Sequence, residues 1–375
     1  MLEPPQNMKK PLFKRLAIIG LGLMGASVAL GARQQRLAGE VVGFDGSADV
    51  RKRAAELDIV DTICKTAKEA AKGSDFIIFC VPVGVMGDVA KEISGSLSKG
   101  AIISDVGSVK SRVVEQIGPH MPEGVALVPG HPIAGTEQSG PEAGCLGLFE
   151  GRWCILTPCG KSTDEDVERV EEFWRGLGSG VEIMTPERHD LVLAITSHVP
   201  HLIAYNIVGT AADLETVTQS EVIKYSAGGF RDFTRIAASD PTMWRDIFLA
   251  NKSAVLEMLG RFSEDLAALQ RDIRWDDGES LFKLFTRTRE IRRDIIDAGQ
   301  DEDVPDFGRF HGAFSDAIRR EMVEAGKTAE SFERLRDAVD DAVKQGIIEV
   351  RERASEIVVA GSNPGPNKKK KKRQS

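Results

Sequence analysis

Arg15–Asp45 reads RLAIIGLGLMGASVALGARQQRLAGEVVGFD, and the order of its patterns decides the fold. RLAIIG is a short apolar run rich in branched residues, ASVALGARQQ has helical spacing, and EVVGFD is a second apolar run. A glycine-rich turn joins the first run to the helix. Strand, turn, helix, strand is a βαβ unit. Further strand-like runs follow at 75–81 (DFIIFCV), 100–106 (GAIISDV), 125–130 (VALVPG) and 153–158 (WCILTP), separated by helical or loop segments. This alternation predicts an α/β Rossmann-type domain with a doubly wound, mostly parallel sheet.

The turn itself is Gly20-Leu21-Gly22-Leu23-Met24-Gly25. A lone GxGxxG is a weak signal, but here it follows a strand and opens a helix, the context that gives it a function. Gly20 permits the tight turn, Gly22 lets backbone approach a pyrophosphate, and Gly25 allows close helix packing. The helix N-terminus near Leu23 turns free N–H groups towards phosphate. Asp45 closes the second strand, where a carboxylate accepts from ribose hydroxyls and repels a 2′-phosphate. NAD is therefore the expected cofactor rather than NADP, although Arg51 and Arg53 nearby could soften that preference.

Past about residue 186 strand-like runs become scarce and apolar residues recur every three or four positions to about residue 297. The expected organisation is a flexible leader (1–13), a nucleotide-binding domain (14–185), an all-helical dimerisation and substrate domain (186–297), a helical C-terminal extension (298–360) and a disordered basic tail (361–375). Acidic residues around Gly299–Asp306 mark a linker, and the extension's helical pattern runs from about Phe314 to Ile357. LRDAVDDAV (Leu335–Val343) reads as a single helix, and no repeated βαβ pattern follows residue 300.

The 375 residues carry a net charge of −8, which argues against nucleic acid, whose phosphates need a basic face. The lysine run at 368–372 lacks interleaved aromatics and reads as a solvated tail. Five cysteines without CxxC spacing point to neither a disulfide framework nor zinc, and so to a reducing cytoplasm. No stretch approaches a membrane span on this reading.

Two segments carry chemistry. HPIAGTEQSGP begins at His131, directly after a strand and at the sheet's carboxyl edge, where Pro132 keeps the histidine out of a helix. A neutral imidazole there can take a proton from a hydroxyl whose carbon loses hydride. Glu137 could orient it or a substrate group. GGFRDFTRIAASDPTMWRDIF begins at Gly228 and supplies Arg231, Arg235 and Arg245, fit for carboxylates, with Asp232 beside them. Ser108, in SDVGSVK, either lies over the nicotinamide or caps the following helix. His189, His198 and His201 crowd one short stretch. Pro200 interrupts the last two, which argues against a metal, and one histidine is expected to meet an anionic substrate while another packs or caps.

GLGLMG, SDVGSVK, HPIAGTEQSGP, TSHVPH, YSAGGFRDFTRIAASDPTMWRDIF and the Asn251-Lys252 pair occur in the order found in the prephenate and arogenate dehydrogenases of tyrosine biosynthesis. The chain resembles that family from about Lys14 to Arg293. The resemblance implies an NAD-dependent oxidative decarboxylation by a homodimer. It makes His131 the proton acceptor, with Ser108 beside it and the nicotinamide, and Arg235 the ligand of a substrate carboxylate. It puts His201 and His189 around the substrate, and Glu137, Gly228, Asp232 and Trp244 in the pocket, some across a dimer interface. Prephenate, arogenate or both remain open as substrates. Two rival readings are a β-hydroxyacid dehydrogenase, which would use a helical-domain lysine such as Lys224 or Lys252, and a non-catalytic NAD-responsive protein.

Overall fold

In the computed structural model, which describes residues 10–135, 138–219, 221, 223–297, 348–353 and 356–361, the first strand is β1, Phe13–Ile19. It is followed by α1 (Leu23–Gln34), β2 (Ala38–Phe44), α2 (Ala48–Glu56), β3 (Thr62–Ile63), α3 (Ala67–Ala71), β4 (Phe76–Phe79), α4 (Met86–Ile93), β5 (Ile102–Asp105), α5 (Lys110–Ile117) and β6 (Ala126–Leu127). The strands pair in parallel in the order β3-β2-β1-β4-β5-β6. The order reverses between β1 and β4, so a crevice opens there at the carboxyl ends of the strands.

Phe13 belongs to this core and not to the expected leader. It is fully buried, with its ring stacked 4.3 Å from Phe76. The run at 153–158 was expected among the parallel strands, yet it leaves the main sheet. Val128 and Pro129 alone separate β6 from β7 (Gly130–Pro132), far too few residues for a parallel crossover. β7 instead pairs antiparallel with β8 (Trp153–Leu156), and β8 pairs in parallel with β9 (Gly180–Ile183) after α6 (Asp164–Gly176). His131 therefore stands in a short strand rather than a loop. Thr163 and Asp166 form a reciprocal capping box that starts α6. Phe173 and Trp174 of α6 pack with α1 against one face of the main sheet, while α3, α4 and α5 cover the other.

Helices follow: α7 (Pro186–Leu193), a π-helical turn at Ala194–His198, α8 (Val199–Thr218), α9 (Gly228–Thr234), α10 (Pro241–Ala250), α11 (Lys252–Arg274) and α12 (Gly278–Asp297). Their cores are small: Ala194 and Val199 meet Val255 and Met258, and Val109 meets Trp244 and Ile247. Pro186–Thr218 is long and apolar enough to cross a membrane by length and composition, with a mean hydropathy of 1.5, contrary to the sequence expectation. Within it, however, His189, Asp190, His198 and His201 all make hydrogen bonds. Polar side chains bonded inside the segment fit helices with one face on a protein core.

The chain divides after Leu281 into two units, and the second holds the rest of α12 and a hairpin. In that hairpin β10 (Ile348–Arg353) pairs antiparallel with β11 (Glu356–Gly361), where a helical extension was expected. IEVRER and EIVVAG place β-branched residues at two-residue spacing, which suits a strand better than a helix. The remaining extension, the tail and Glu137 lie outside the described residues.

Candidate active site

The glycine loop is shaped to admit a phosphate-bearing ligand. Gly20 has φ +102°, and a Cβ at Gly25 would fall 1.8 Å from the Gly20 carbonyl oxygen, so neither tolerates a side chain. At Gly22 a Cβ would meet nothing within 4 Å, which leaves the backbone open to approach. Asp45 anchors the loop to β2: its carboxylate accepts from Leu21 N at 2.9 Å and from Ser47 N at 2.8 Å. Each oxygen keeps a lone pair for a ribose hydroxyl. The arginines that could have softened a preference for NAD are occupied. Arg51 donates to the Asp45 backbone oxygen at 2.5 Å and lies over the Phe44 ring, while Arg53 pairs with Glu142 at 2.6 Å. The residues present fit a dinucleotide with free ribose hydroxyls.

Next along the sheet edge is a buried ion pair that the sequence reading passed over. Lys110 and Asp105 are fully buried, with Nζ 2.5 Å from Oδ2. Lys110 Nζ also donates to Gly130 O at 2.5 Å, and Asp105 accepts from Gly107 N at 2.7 Å and Gly130 N at 3.2 Å. Both polar groups of the Gly130 backbone are thus held, which fixes the residue before His131. Burial drives the Asp105 carboxyl up and the Lys110 ammonium down, and their mutual attraction opposes both shifts.

His131 is half-buried on β7, with Nδ1 2.8 Å from Nε2 of His189. His189 Nδ1 lies 2.8 Å from Asp190 Oδ1. Asp190 in turn accepts from Lys110 N at 2.7 Å and Ser111 N at 2.9 Å, the first free N–H groups of α5. The capping role open to Ser108 is therefore filled by Asp190, and Ser108 is left half-buried next to the helix start. His189, expected at the substrate, is fully buried with both ring nitrogens engaged, so it supports His131 from behind. Burial above all, then the nearness of His189, Lys110 and His198, holds His131 well below the usual imidazole range, so it is neutral. Asp190 stays ionised: burial would raise its carboxyl, but hydrogen bonds from His189, Ser111 and Lys110 hold it below the ordinary value.

A second histidine group lies where the π-helical turn passes into α8. His201 stacks on Trp244 at 3.7 Å and its Nδ1 donates to Ser197 O at 2.8 Å. His198 is buried against Asn251, whose Nδ2 donates to His198 Nδ1 at 3.1 Å and to Asp190 O at 2.8 Å. Burial pushes His198 down to about 4. Asn251 thus ties the start of α11 to the same network. Arg231, Asp232 and Arg235 are exposed on α9 and the 3-10 turn after it, and Gly228 is half-buried at the start of α9. Asp232 forms no ion pair with the arginines among the described residues, and Arg245 pairs with Asp246. The structure brings His131, His189, Asp190, Lys110 and Asp105 together; no hydrogen bond links Arg235 to them among the described residues. The lysines of the rival reading are on the surface, Lys224 in an exposed pair with Glu221 and Lys252 exposed at the start of α11.

The missed residues had faint signals. Asp105 and Lys110 are charges flanking a turn in an apolar strand–helix junction, and Asp190 follows a histidine in RHD. Nothing local says that they meet Gly130 and α5.

Residues 28–183 match the family model described as the nucleotide-binding domain of prephenate dehydrogenase, and residues 185–287 match its dimerization domain. The chain is 39% identical over 281 residues to the cyclohexadienyl dehydrogenase of Zymomonas mobilis, covering 75% of this chain and 96% of that one. It is 32% identical over 293 residues to the prephenate dehydrogenase of Bacillus subtilis, covering 78% of each. Among solved structures, prephenate dehydrogenase from A. aeolicus in complex with hydroxyphenyl propionate and NAD+ superposes with a TM-score of 0.71 at 36% identity, covering 75% of this chain and 98% of that one. With a glycine loop, a supported histidine and both family domains in sequence, the chain belongs to the prephenate dehydrogenase family, whose members are dehydrogenases.

Proposed function

We propose that the chain catalyses the NAD-dependent oxidative decarboxylation of prephenate to 4-hydroxyphenylpyruvate in tyrosine biosynthesis, as a cytoplasmic homodimer. The observation that carries this reading is the neutral His131 at the carboxyl edge of the sheet, backed by His189 and Asp190. The open approach at Gly22, the acid at Asp45 and the NAD+ held by the A. aeolicus relative support NAD. When bound, NAD would supply the acceptor for the hydride of the hydroxyl-bearing ring carbon. His131 accepts the hydroxyl proton; the ring carboxylate leaves as CO2, its bonding pair entering the ring as it becomes aromatic; and His131 returns the proton to the phenolic oxygen. No net proton is released.

Ser108 is assigned a place beside His131 and the nicotinamide, and Arg235, exposed and without an ion pair among the described residues, binds a substrate carboxylate. In this reading His201, Trp244, Gly228 and Asp232 contribute to the substrate pocket, in part across the dimer. Residues 14–185 form the nucleotide-binding domain and 186–297 the helical substrate and dimerisation domain. Dimerisation is supported by the apolar face of α8, where Ile207, Leu214 and Val217 are exposed, the last by 80%. The five cysteines are all free, in keeping with a reducing compartment.

The Zymomonas relative, named a cyclohexadienyl dehydrogenase, favours a second reading in which arogenate is also accepted. Purified protein with NAD and either prephenate or arogenate, followed by NADH absorbance, decides between them. Turnover of prephenate alone is the expected result, turnover of both establishes the second reading, and turnover of neither rejects the function.

A further inference from the structure

Asp190 is the fixed end of the row behind His131. Its oxygens hold the α5 N–H groups of Lys110 and Ser111, and its backbone oxygen accepts from Asn251. An ionised carboxylate only accepts hydrogen bonds, so the 2.8 Å contact to His189 requires the proton on His189 Nδ1. In a neutral imidazole the other nitrogen is then a bare lone pair. The 2.8 Å contact between His189 Nε2 and His131 Nδ1 therefore requires the proton on Nδ1 of His131. The nitrogen left basic on His131 is Nε2.

We propose that His189 and Asp190 are positioning residues that lock His131 in its Nδ1–H tautomer, so that Nε2 is the proton acceptor in every turnover. This rests on the reading of His131 as the base. A doubly protonated His189 would donate from both nitrogens and reverse the order of the row. Burial is the main force against that state, and the Lys110 charge adds to it, while Asp190 opposes both. Free imidazole side chains exchange between tautomers, so an unsupported His131 would spend part of its time with its basic nitrogen facing the protein. The buried Lys110–Asp105 pair serves the same end at the backbone by holding Gly130. The Asn251 bridge to the Asp190 backbone oxygen holds the α7 end of the row.

The direct test is a long-range 1H–15N spectrum of the full-length protein labelled at histidine nitrogens, at neutral pH, with the His131 signals assigned by comparison with His131→Asn. The expected result is protonated Nδ1 and bare Nε2 for both His131 and His189. A native His131 carrying its proton on Nε2 overturns the proposal. Kinetics give a second arm. His189→Phe, which fills the space without an acceptor, should lower kcat roughly 100-fold, the low end of a general base's contribution, with KM changed less than about threefold. His189→Gln, whose amide oxygen reaches the same place, should recover part of that loss and restore the Nδ1–H signature. Wild-type kcat in His189→Phe also overturns the proposal. If that variant fails to fold, the native spectrum decides alone. Absence of turnover by the wild-type protein on either substrate defeats the functional reading instead, and leaves the spectrum to judge the tautomer.

Discussion

The nucleotide-binding region and the helical region of this chain are built to different degrees of self-sufficiency. In the first, both faces of the six-stranded sheet are covered, and Phe13, Phe76, Phe173 and Trp174 are all fully buried. In the second, a handful of buried residues hold α7, α8, α10 and α11, while Ile207, Leu214, Val217, Leu249 and Leu256 remain exposed. The first region can be understood from its own contacts. The second leaves an apolar face exposed, and the family model matching it is that of a dimerization domain.

The sharpest break in that comparison is at α8. Leu214→Glu combined with Val217→Glu places two charges on the exposed face, and sedimentation should show the protein moving from dimer to monomer. The same double change would leave the nucleotide-binding region's NAD affinity unaltered. Within that region, Gly25→Ala forces a Cβ to 1.8 Å from the Gly20 carbonyl, a clash between backbones that cannot relax by a rotamer change. It should cost about 3 kcal/mol in denaturant unfolding and abolish NAD binding.

Acid should weaken the junction of the two regions. His198 is pushed down to about 4 by burial, against about 6.5 in an unfolded chain. Below the unfolded value the unfolded state binds the extra proton first, so stability is complete above roughly pH 6.5 and falls as pH drops towards 4. The loss from this group is up to about 3 kcal/mol, visible as a lower Tm at pH 5 than at pH 7.5. His131 and His189 are shifted in the same direction and add to it. The smallest effect is expected at Arg235. Arg235→Gln should raise KM about tenfold with little change in kcat, the outcome its proposed role of binding and aligning substrate without taking part in the proton step requires.

How far the sequence could be read follows the same division. GLGLMG and Asp45 were legible because a loop, the strand before it and the helix after it are contiguous, and their spacing carries the geometry. His131 stood out because it follows a strand, although its own place in β7 depends on pairing with β8, which adjacency does not reveal. The contacts of His189 were not legible, because its partners lie 58 residues earlier and at the next position, and only the folded chain shows both ring nitrogens used. Lys110 and Asp105 were passed over because two charges near a turn normally stay in water, and their burial is matched by backbone partners at Gly107 and Gly130. The hairpin at Ile348–Gly361 was read as helix because its charged residues masked a two-residue alternation.

Whether His131 is the proton acceptor is decided by steady-state NADH formation from prephenate by wild-type protein and by His131→Asn. The expected result is turnover by the wild type and a kcat lowered roughly 100- to 10,000-fold in the variant, with NAD affinity and folding unchanged. Wild-type turnover retained in His131→Asn would contradict it.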